Sequence, residues 1–354
     1  MKQPQDDVIS ERPKTVLDSL NAGLHQAMAD DASVVLMGED LLDPYGGAFK
    51  VTRGLSSAYP RRVRTTPISE AGITGVAGGM ALRGLRPVVE IMFGDFISLA
   101  ADQLINHLAK FRYMYNEQVR VPLVIRTPMG GRRGYGPTHS QTLEKHFLGI
   151  PGLRTLAPFH DLGGHALGGP GQLLYQTILN TQDPVLFVEN KLQYLLTLLN
   201  PQNLPDQTCE EISGQYGLSA PFYRVLTVGA PQAMVTISAY GYMAHLTMRA
   251  QQQLAYEHEI FSELLIPTQL APFTLQPVFE SVKATGRLIT IEEGAGALGW
   301  GAEVLAQTAE ELGASLRRAA RLTAADHPVP AARHLEEESL PGVDDIVTII
   351  KRMV

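Results

Sequence analysis

Apolar positions recur along this chain with two different spacings. Between Thr15 and about Ala29, Val16, Leu20, Leu24 and Met28 fall at helical intervals on one face, which predicts a helix. Elsewhere apolar residues come in short continuous runs. SVVLMGED (33–40), RPVVEIMF (86–93), VPLVIRTP (121–128), LRTLAP (153–158) and DPVLFVEN (183–190) are five of them. AMVTISAYG (233–241), HEIFSELL (258–265) and RLITIEEG (287–294) are three more. Runs of this kind read as strands with both faces buried. Helical patterns lie between them: DFISLAADQLINHLAKFRYMY (95–115) as one long helix, a turn or two near Leu173–Leu179, His245–Tyr256, GAEVLAQTAEELG (301–313) and a final DDIVTIIKRM (344–353).

Strands alternating with helices predict an α/β protein with mainly parallel sheets. The pattern loosens over NPQNLPDQTCEEISGQYGLSAP, which is polar and proline-bearing. We read four segments: a polar tail (1–12), a first α/β domain (13–200), a linker (201–222) and a second α/β domain (223–354). PTQLAPF (267–273) reads as a loop, and so does the glycine-rich GGRRGYGPTHSQ (130–141). The block TTPISEAGITGVAGGMALRG (65–84) is rich in glycine, which weakens a helix but admits close approach of another backbone or a ligand.

Composition narrows the function. With 18% charged and 45% hydrophobic residues the chain is globular and lean in charge, as a surface partly covered by a partner would be. A net charge of −7 argues against broad nucleic-acid binding. The pairs Arg132–Arg133 and Arg317–Arg318 read as solvated surface. One cysteine, Cys209, allows neither an intrachain disulfide nor a cysteine-built zinc site. The polar N-terminus does not resemble a signal peptide, and no run nears the roughly 18 apolar residues that span a bilayer, so a cytoplasmic location is expected.

Three motifs carry candidate chemistry. Gly294-Ala-Gly-Ala-Leu-Gly299 sits between a strand and a helix, as a dinucleotide fingerprint would. Too little chain follows it for most of such a domain, so a tight strand-to-helix turn is the simpler reading. Glu70 stands among Ile68, Ala71, Gly72 and Ile73, where desolvation would favour proton exchange with a heterocycle. On pattern alone, a helix-start carboxylate is the commoner explanation. His139 lies in the glycine-rich loop and suits an acid, base or positioning donor, or an ordinary surface histidine. Glu39, Glu70 and His139 all fall at or just after strand ends, where parallel sheets place their sites. Phe93 and Phe96 flank the turn after RPVVEI, with core packing as the plain alternative.

Taken in order, GED (38–40), GGAFKVTRGL (46–55), TPISEAGITGVAGGMALRGLRPVVEI (66–91), DFISLAADQLINHLAKFRYM (95–114), THSQ (138–141), PGL (151–153), DPVLFVENK (183–191), EEGAGALGWGAE (292–303) and DHPVP (326–330) are more specific than any one block. From about residue 13 the chain resembles the beta subunit of the decarboxylating component of pyruvate, branched-chain 2-oxo acid or acetoin dehydrogenase complexes. The resemblance implies a pyrimidine-binding domain followed by a transketolase-type C-terminal domain. It further implies an α2β2 heterotetramer with thiamine diphosphate between alpha and beta subunits, and acyl transfer to a lipoyl-bearing acyltransferase or carrier protein. It makes Glu70 the carboxylate that exchanges a proton with the aminopyrimidine and so activates the thiazolium carbon. Phe96, Met92 and Ile68 would line the pyrimidine pocket, Glu39 would be a second acid there, and His139 would handle substrate or lipoyl group. The alpha subunits of this family hold the diphosphate through Mg²⁺ and a GDG-type motif. Here Gly94-Asp95 is followed by Phe96, so the chain looks like half a site, with Mg²⁺ held by the partner.

Departures from the family bear on substrate and acceptor. FHDLGGHALGGPG (159–171) is long and glycine-rich, and GRRGYGPTHSQ is a particular variant of the active-site loop. The spacing around Thr177–Asp183, where relatives carry a structural potassium ion, differs by about a residue, and no such site is assigned. The rival readings are a specialised relative that passes a two-carbon or acyl unit from a ketose or 2-oxo acid to a carrier protein, a non-catalytic scaffold, and a Rossmann oxidoreductase.

Overall fold

The computed structural model describes residues 13–204 and 206–354; the polar tail expected at 1–12 lies outside them. Helix α1 (Val16–Asp30) opens on a capping box in which Thr15 and Asp18 satisfy each other's backbone N–H, and it buries Val16, Leu20, Leu24 and Met28. The expected apolar runs become strands β1 (Val34–Gly38), β3 (Arg86–Glu90), β4 (Val124–Met129), β5 (Arg154–Leu156) and β6 (Val185–Asn190). With the short β2 (Val63–Thr65) they form a parallel sheet in the order β5-β6-β4-β3-β1-β2. Helix α2 (Leu55–Ala58) precedes β2, and α3 (Glu70–Leu82) connects β2 to β3.

The long helix expected over 95–115 is instead broken into a 3₁₀ segment (Gly94–Ala100), a π-helical turn (Gln103–Leu108) and α4 (Ala109–Met114). Apolar periodicity cannot tell these apart, since Ile97, Ala100, Leu104, Leu108 and Ala109 are all buried and still fall at near-helical intervals. The π segment feeds Leu108 into α3, where a Cβ on Gly78 would lie 2.3 Å from Leu108 Cδ2. This is the close approach that the glycines of α3 allow. Helix α5 (Gly168–Asn180) crosses α1 at two facing glycines. A Cβ on Gly23 would lie 2.4 Å from Gly171 O, and one on Gly171 only 2.1 Å from Ser19 O. Ser19 Oγ joins the two helices by accepting from Gly171 N at 2.8 Å and donating to Leu167 O at 2.6 Å.

The segment read as a linker contains a strand, β7 (Gln207–Glu211), paired antiparallel with β8 (Phe222–Thr227). It is an edge strand with alternate residues exposed, so its polarity disguised it. β9 (Val235–Ala239), β10 (Ser262–Pro267), β12 (Arg287–Ala295) and β13 (Arg318–Ala324) complete a second sheet in the order β13-β12-β9-β10-β8-β7. Helices α6 (Gly241–His258), α7 (Gln276–Thr285), α8 (Trp300–Leu312), α9 (Arg333–Ser339) and α10 (Val343–Met353) surround it.

PTQLAPF is not simply a loop. Its residues Gln269–Ala271 form β11, which adds an antiparallel edge to the first sheet by pairing with β5. One apolar cluster accordingly runs unbroken from Ile91 and Ile125 to Leu265 and Trp300. Arg317 and Arg318 are exposed, as expected, yet each also caps a helix end. Arg317 donates to Thr285 O at the end of α7, and Arg318 to Arg352 O and Met353 O at the end of α10, where helix carbonyls lack partners. Among the described residues, no helix is long and apolar enough to cross a membrane.

The α1–α5 crossing has no room for a methyl group. Gly171→Ala is expected to destabilise the protein by about 2 kcal/mol through overpacking, read as a lowered denaturation midpoint. An unchanged midpoint would show that the two helices can part freely.

Candidate active site

Three neighbouring strands of the first sheet each carry a buried charge. Glu90, Arg126 and Glu189 come from β3, β4 and β6, and all are buried. Arg126 is 1% exposed. Its Nε and Nη2 donate to the two oxygens of Glu189 at 2.7 Å each, and Nη1 donates to Glu90 Oε2 at 2.8 Å. Tyr194 adds its hydroxyl to Glu189. Burial pushes the Glu90 carboxyl up, against the pull of Arg126, while Arg126 itself is held firmly protonated by its two carboxylates. These residues were missed in the sequence, although a charge inside a strand buried on both faces was the available signal.

Beyond the strands of this sheet lie the expected site residues. Glu70 is the first residue of α3 and only 5% exposed. Glu39 follows β1 and is also buried; its carboxyl is pushed up by burial first, then by the neighbouring Glu70 and by Asp40. The two acids are thus within electrostatic reach of each other. Met92 and Phe96, both half-buried, follow β3, and α3 packs against the 3₁₀ segment that carries Phe96. Phe93 and Phe96 meet edge to face at 5.9 Å between centroids, and His139 stands edge-on to both, at 4.9 and 5.2 Å. Thr138 Oγ1 engages His139 Nδ1 at 3.0 Å. Ile68, by contrast, is 82% exposed, so within this chain it walls no pocket and instead faces outward beside Glu70.

Four buried charges surround the histidine loop. Asp95 Oδ1 accepts from Gln141 N and Nε2 at 3.1 and 3.0 Å. Lys191, 0% exposed, donates to His139 O; burial lowers its pKa to about 8 against the attraction of Asp95 and Glu293. Glu293 and Glu336 bond the loop backbone from the second sheet's side. Arg132 and Arg133 are tied down too, donating to Pro341 O and Lys191 O.

The Gly294–Gly299 turn is closed to a dinucleotide. Glu292 accepts from Trp300 N at 2.9 Å and Gly301 N at 3.0 Å, so a carboxylate of the chain itself fills the α8 N-terminus that a pyrophosphate would need.

Residues 13–195 match the transketolase pyrimidine-binding domain, and residues 226–346 match the transketolase C-terminal domain. Among solved structures, a chain titled "Split gene transketolase, inactive beta4 tetramer" superposes with a TM-score of 0.69 at 17% identity, covering 96% of this chain and 98% of that one. The mitochondrial pyruvate dehydrogenase E1 component subunit beta-2 of Oryza sativa subsp. japonica is 37% identical over 345 residues, which cover 96% of this chain and 85% of the relative. The acetoin:2,6-dichlorophenolindophenol oxidoreductase subunit beta of Bacillus subtilis (strain 168) is 34% identical, with 94% of each chain covered. The chain belongs to the transketolase-like family, in the branch that holds the beta subunits of pyruvate and acetoin dehydrogenases.

Two outcomes follow from the buried charges. Arg126→Met strands two buried carboxylates and is expected to cost about 3–5 kcal/mol of stability, measured by denaturant unfolding. Glu292 is pushed from its usual 4.5 up to about 7, mainly by burial, against the N–H bonds from Gly301 and Trp300. The folded chain therefore keeps a proton that the unfolded chain has already lost. Its contribution to stability is complete below about 4.5 and is lost as pH rises through about 7, on the order of 3 kcal/mol in all. Glu292→Gln should flatten that part of the stability–pH curve, and an unaltered curve would contradict the assignment.

Proposed function

We propose that this chain is the beta subunit of a thiamine-diphosphate-dependent 2-oxo acid dehydrogenase, acting with an alpha subunit in oxidative decarboxylation and acyl transfer to a lipoyl group. The observation that carries this reading is the buried Glu70 at the head of α3, beside Glu39 and next to the outward-facing Ile68. A carboxylate sheltered on this chain's side and bordered by exposed apolar surface is what half of a shared site requires.

The residues fit the pyrimidine end of the cofactor. Phe96 and Met92 offer half-buried apolar walls, Glu70 a carboxylate acceptor, and Glu39 a raised acid that presents an O–H more readily than an ordinary glutamate does. When bound, thiamine diphosphate supplies the carbon nucleophile and the electron sink for decarboxylation. Glu70 holds and returns a proton at the pyrimidine nitrogen, between half-buried apolar walls that the alpha subunit would close against water. His139, oriented by Thr138 and set against Phe93 and Phe96, serves the substrate or the lipoyl acceptor. The diphosphate and its Mg²⁺ are assigned to the alpha subunit.

The test is co-purification with the alpha partner, followed by 2-oxo-acid-dependent reduction of an artificial electron acceptor with and without thiamine diphosphate. Turnover should require both the cofactor and the alpha subunit, and Glu70→Ala should lower kcat by about 10²–10⁴-fold. Wild-type turnover in Glu70→Ala would falsify the mechanism, and cofactor-dependent turnover by the isolated chain would remove the half-site.

A further inference from the structure

The loop 130–141 is held by charges that come from both the first and the second sheet's side. Gly131 N–H is taken by Glu293 Oε1 at 2.7 Å, Arg132 N–H by Glu336 Oε1 at 2.7 Å and Gly134 N–H by Glu336 Oε2 at 3.0 Å. These carboxylates lie 162 to 204 residues further along the chain. Gly130, Arg132 and Gly134 have φ of 93°, 66° and 68°. Residues in that region turn neighbouring N–H groups to one side and make a concave seat for an anion. Here the protein's own buried glutamates occupy the seat.

At the loop's other end the fully buried Lys191 donates to His139 O. Its ammonium also lies over the rings of Phe93 and Tyr135, at 5.2 and 5.8 Å. A carboxylate or an ammonium sealed from water keeps its charge only while such partners stay in place. Departure of the loop would strand Glu336 and Lys191 together, so the arrangement favours a single loop conformation.

We propose that Lys191 and Glu336 are positioning residues that fix the 130–141 loop and thereby set His139 against Phe93 and Phe96. Through Glu336, the C-terminal sheet and its helices act on the reaction without touching substrate. This rests on the reading of the His139 neighbourhood as the reaction site.

The experiment uses the assembled alpha–beta enzyme carrying Lys191→Met, Glu336→Ala or the near-isosteric Glu336→Gln, which guards against simple misfolding. Lys191→Met and Glu336→Ala are expected to lower kcat about ten- to a hundredfold, through misplacement of the loop. The Kd for thiamine diphosphate should stay within about twofold, since Glu70 and Phe96 are untouched. Trypsin should cut after Arg132 or Arg133 about tenfold faster in both variants. Glu336→Gln, which keeps one acceptor oxygen, should recover part of both effects. Unchanged kcat and unchanged cleavage overturn the proposal, as does a cofactor Kd that rises in step with the loss of kcat. If the wild-type assembly shows no cofactor-dependent turnover, the functional reading falls by itself. Trypsin then still decides whether the two residues hold the loop, and an unaltered cleavage rate overturns that as well.

Discussion

A guanidinium sealed from water must be neutralised where it stands, and Arg126 meets that demand with carboxylates from the strands on either side of its own. The consequence is geometric. Parallel strands β3, β4 and β6 can slide past one another only by breaking charge-assisted bonds in a low dielectric, so their C-terminal ends are locked in register. The aromatic, lysine and histidine-loop parts of the candidate site depart from those ends, while Glu39 and Glu70 follow β1 and β2. Two to six residues beyond Glu90 the chain reaches Met92, Phe93 and Phe96; two beyond Glu189 it reaches Lys191; four beyond Arg126 it enters the histidine loop at Gly130.

The network is also unbalanced, with two carboxylates to one guanidinium. Burial pushes Glu90 up, and backbone N–H from Ala48 and the hydroxyl of Tyr194 supply hydrogen bonds where a second cation is missing. Ala48 belongs to the GGAFK turn, and Phe49 in the same turn packs on Phe93 and Tyr194 at 5.6 and 5.4 Å. A single buried cation thus orders a strand end, a turn and an aromatic cluster together. Specificity of register is the best physical use of such a group, because apolar side chains of similar volume would pack as well but would tolerate slippage.

Much of this was legible from the chain itself. Strands β1, β3, β4, β6, β9 and β12 appeared as continuous apolar runs because each is buried on both faces. β7 and β13 did not, because edge strands carry polar residues: Gln207, Glu210 and Glu211 in one, Arg318 and Arg321 in the other. β11 was read as loop because three residues hold too little pattern. Glu70, His139 and Phe96 stand out as candidates in the sequence because the family resemblance attaches a role to each, and the structure brings His139 and Phe96 together. Glu293, Glu336 and Lys191 escaped because their partners are 52 to 204 residues away, and no local spacing encodes a contact of that range.

The strand β11 has a consequence for how the chain is made. The first sheet's outer edge, β5, is completed by residues 269–271, which a ribosome delivers more than a hundred residues after β5 itself. Until then the nascent N-terminal half carries an unpaired strand edge, the feature that invites pairing with other chains. Synthesis from the N-terminus therefore leaves a vulnerable interval, one that a truncated product ending before residue 269 would never leave.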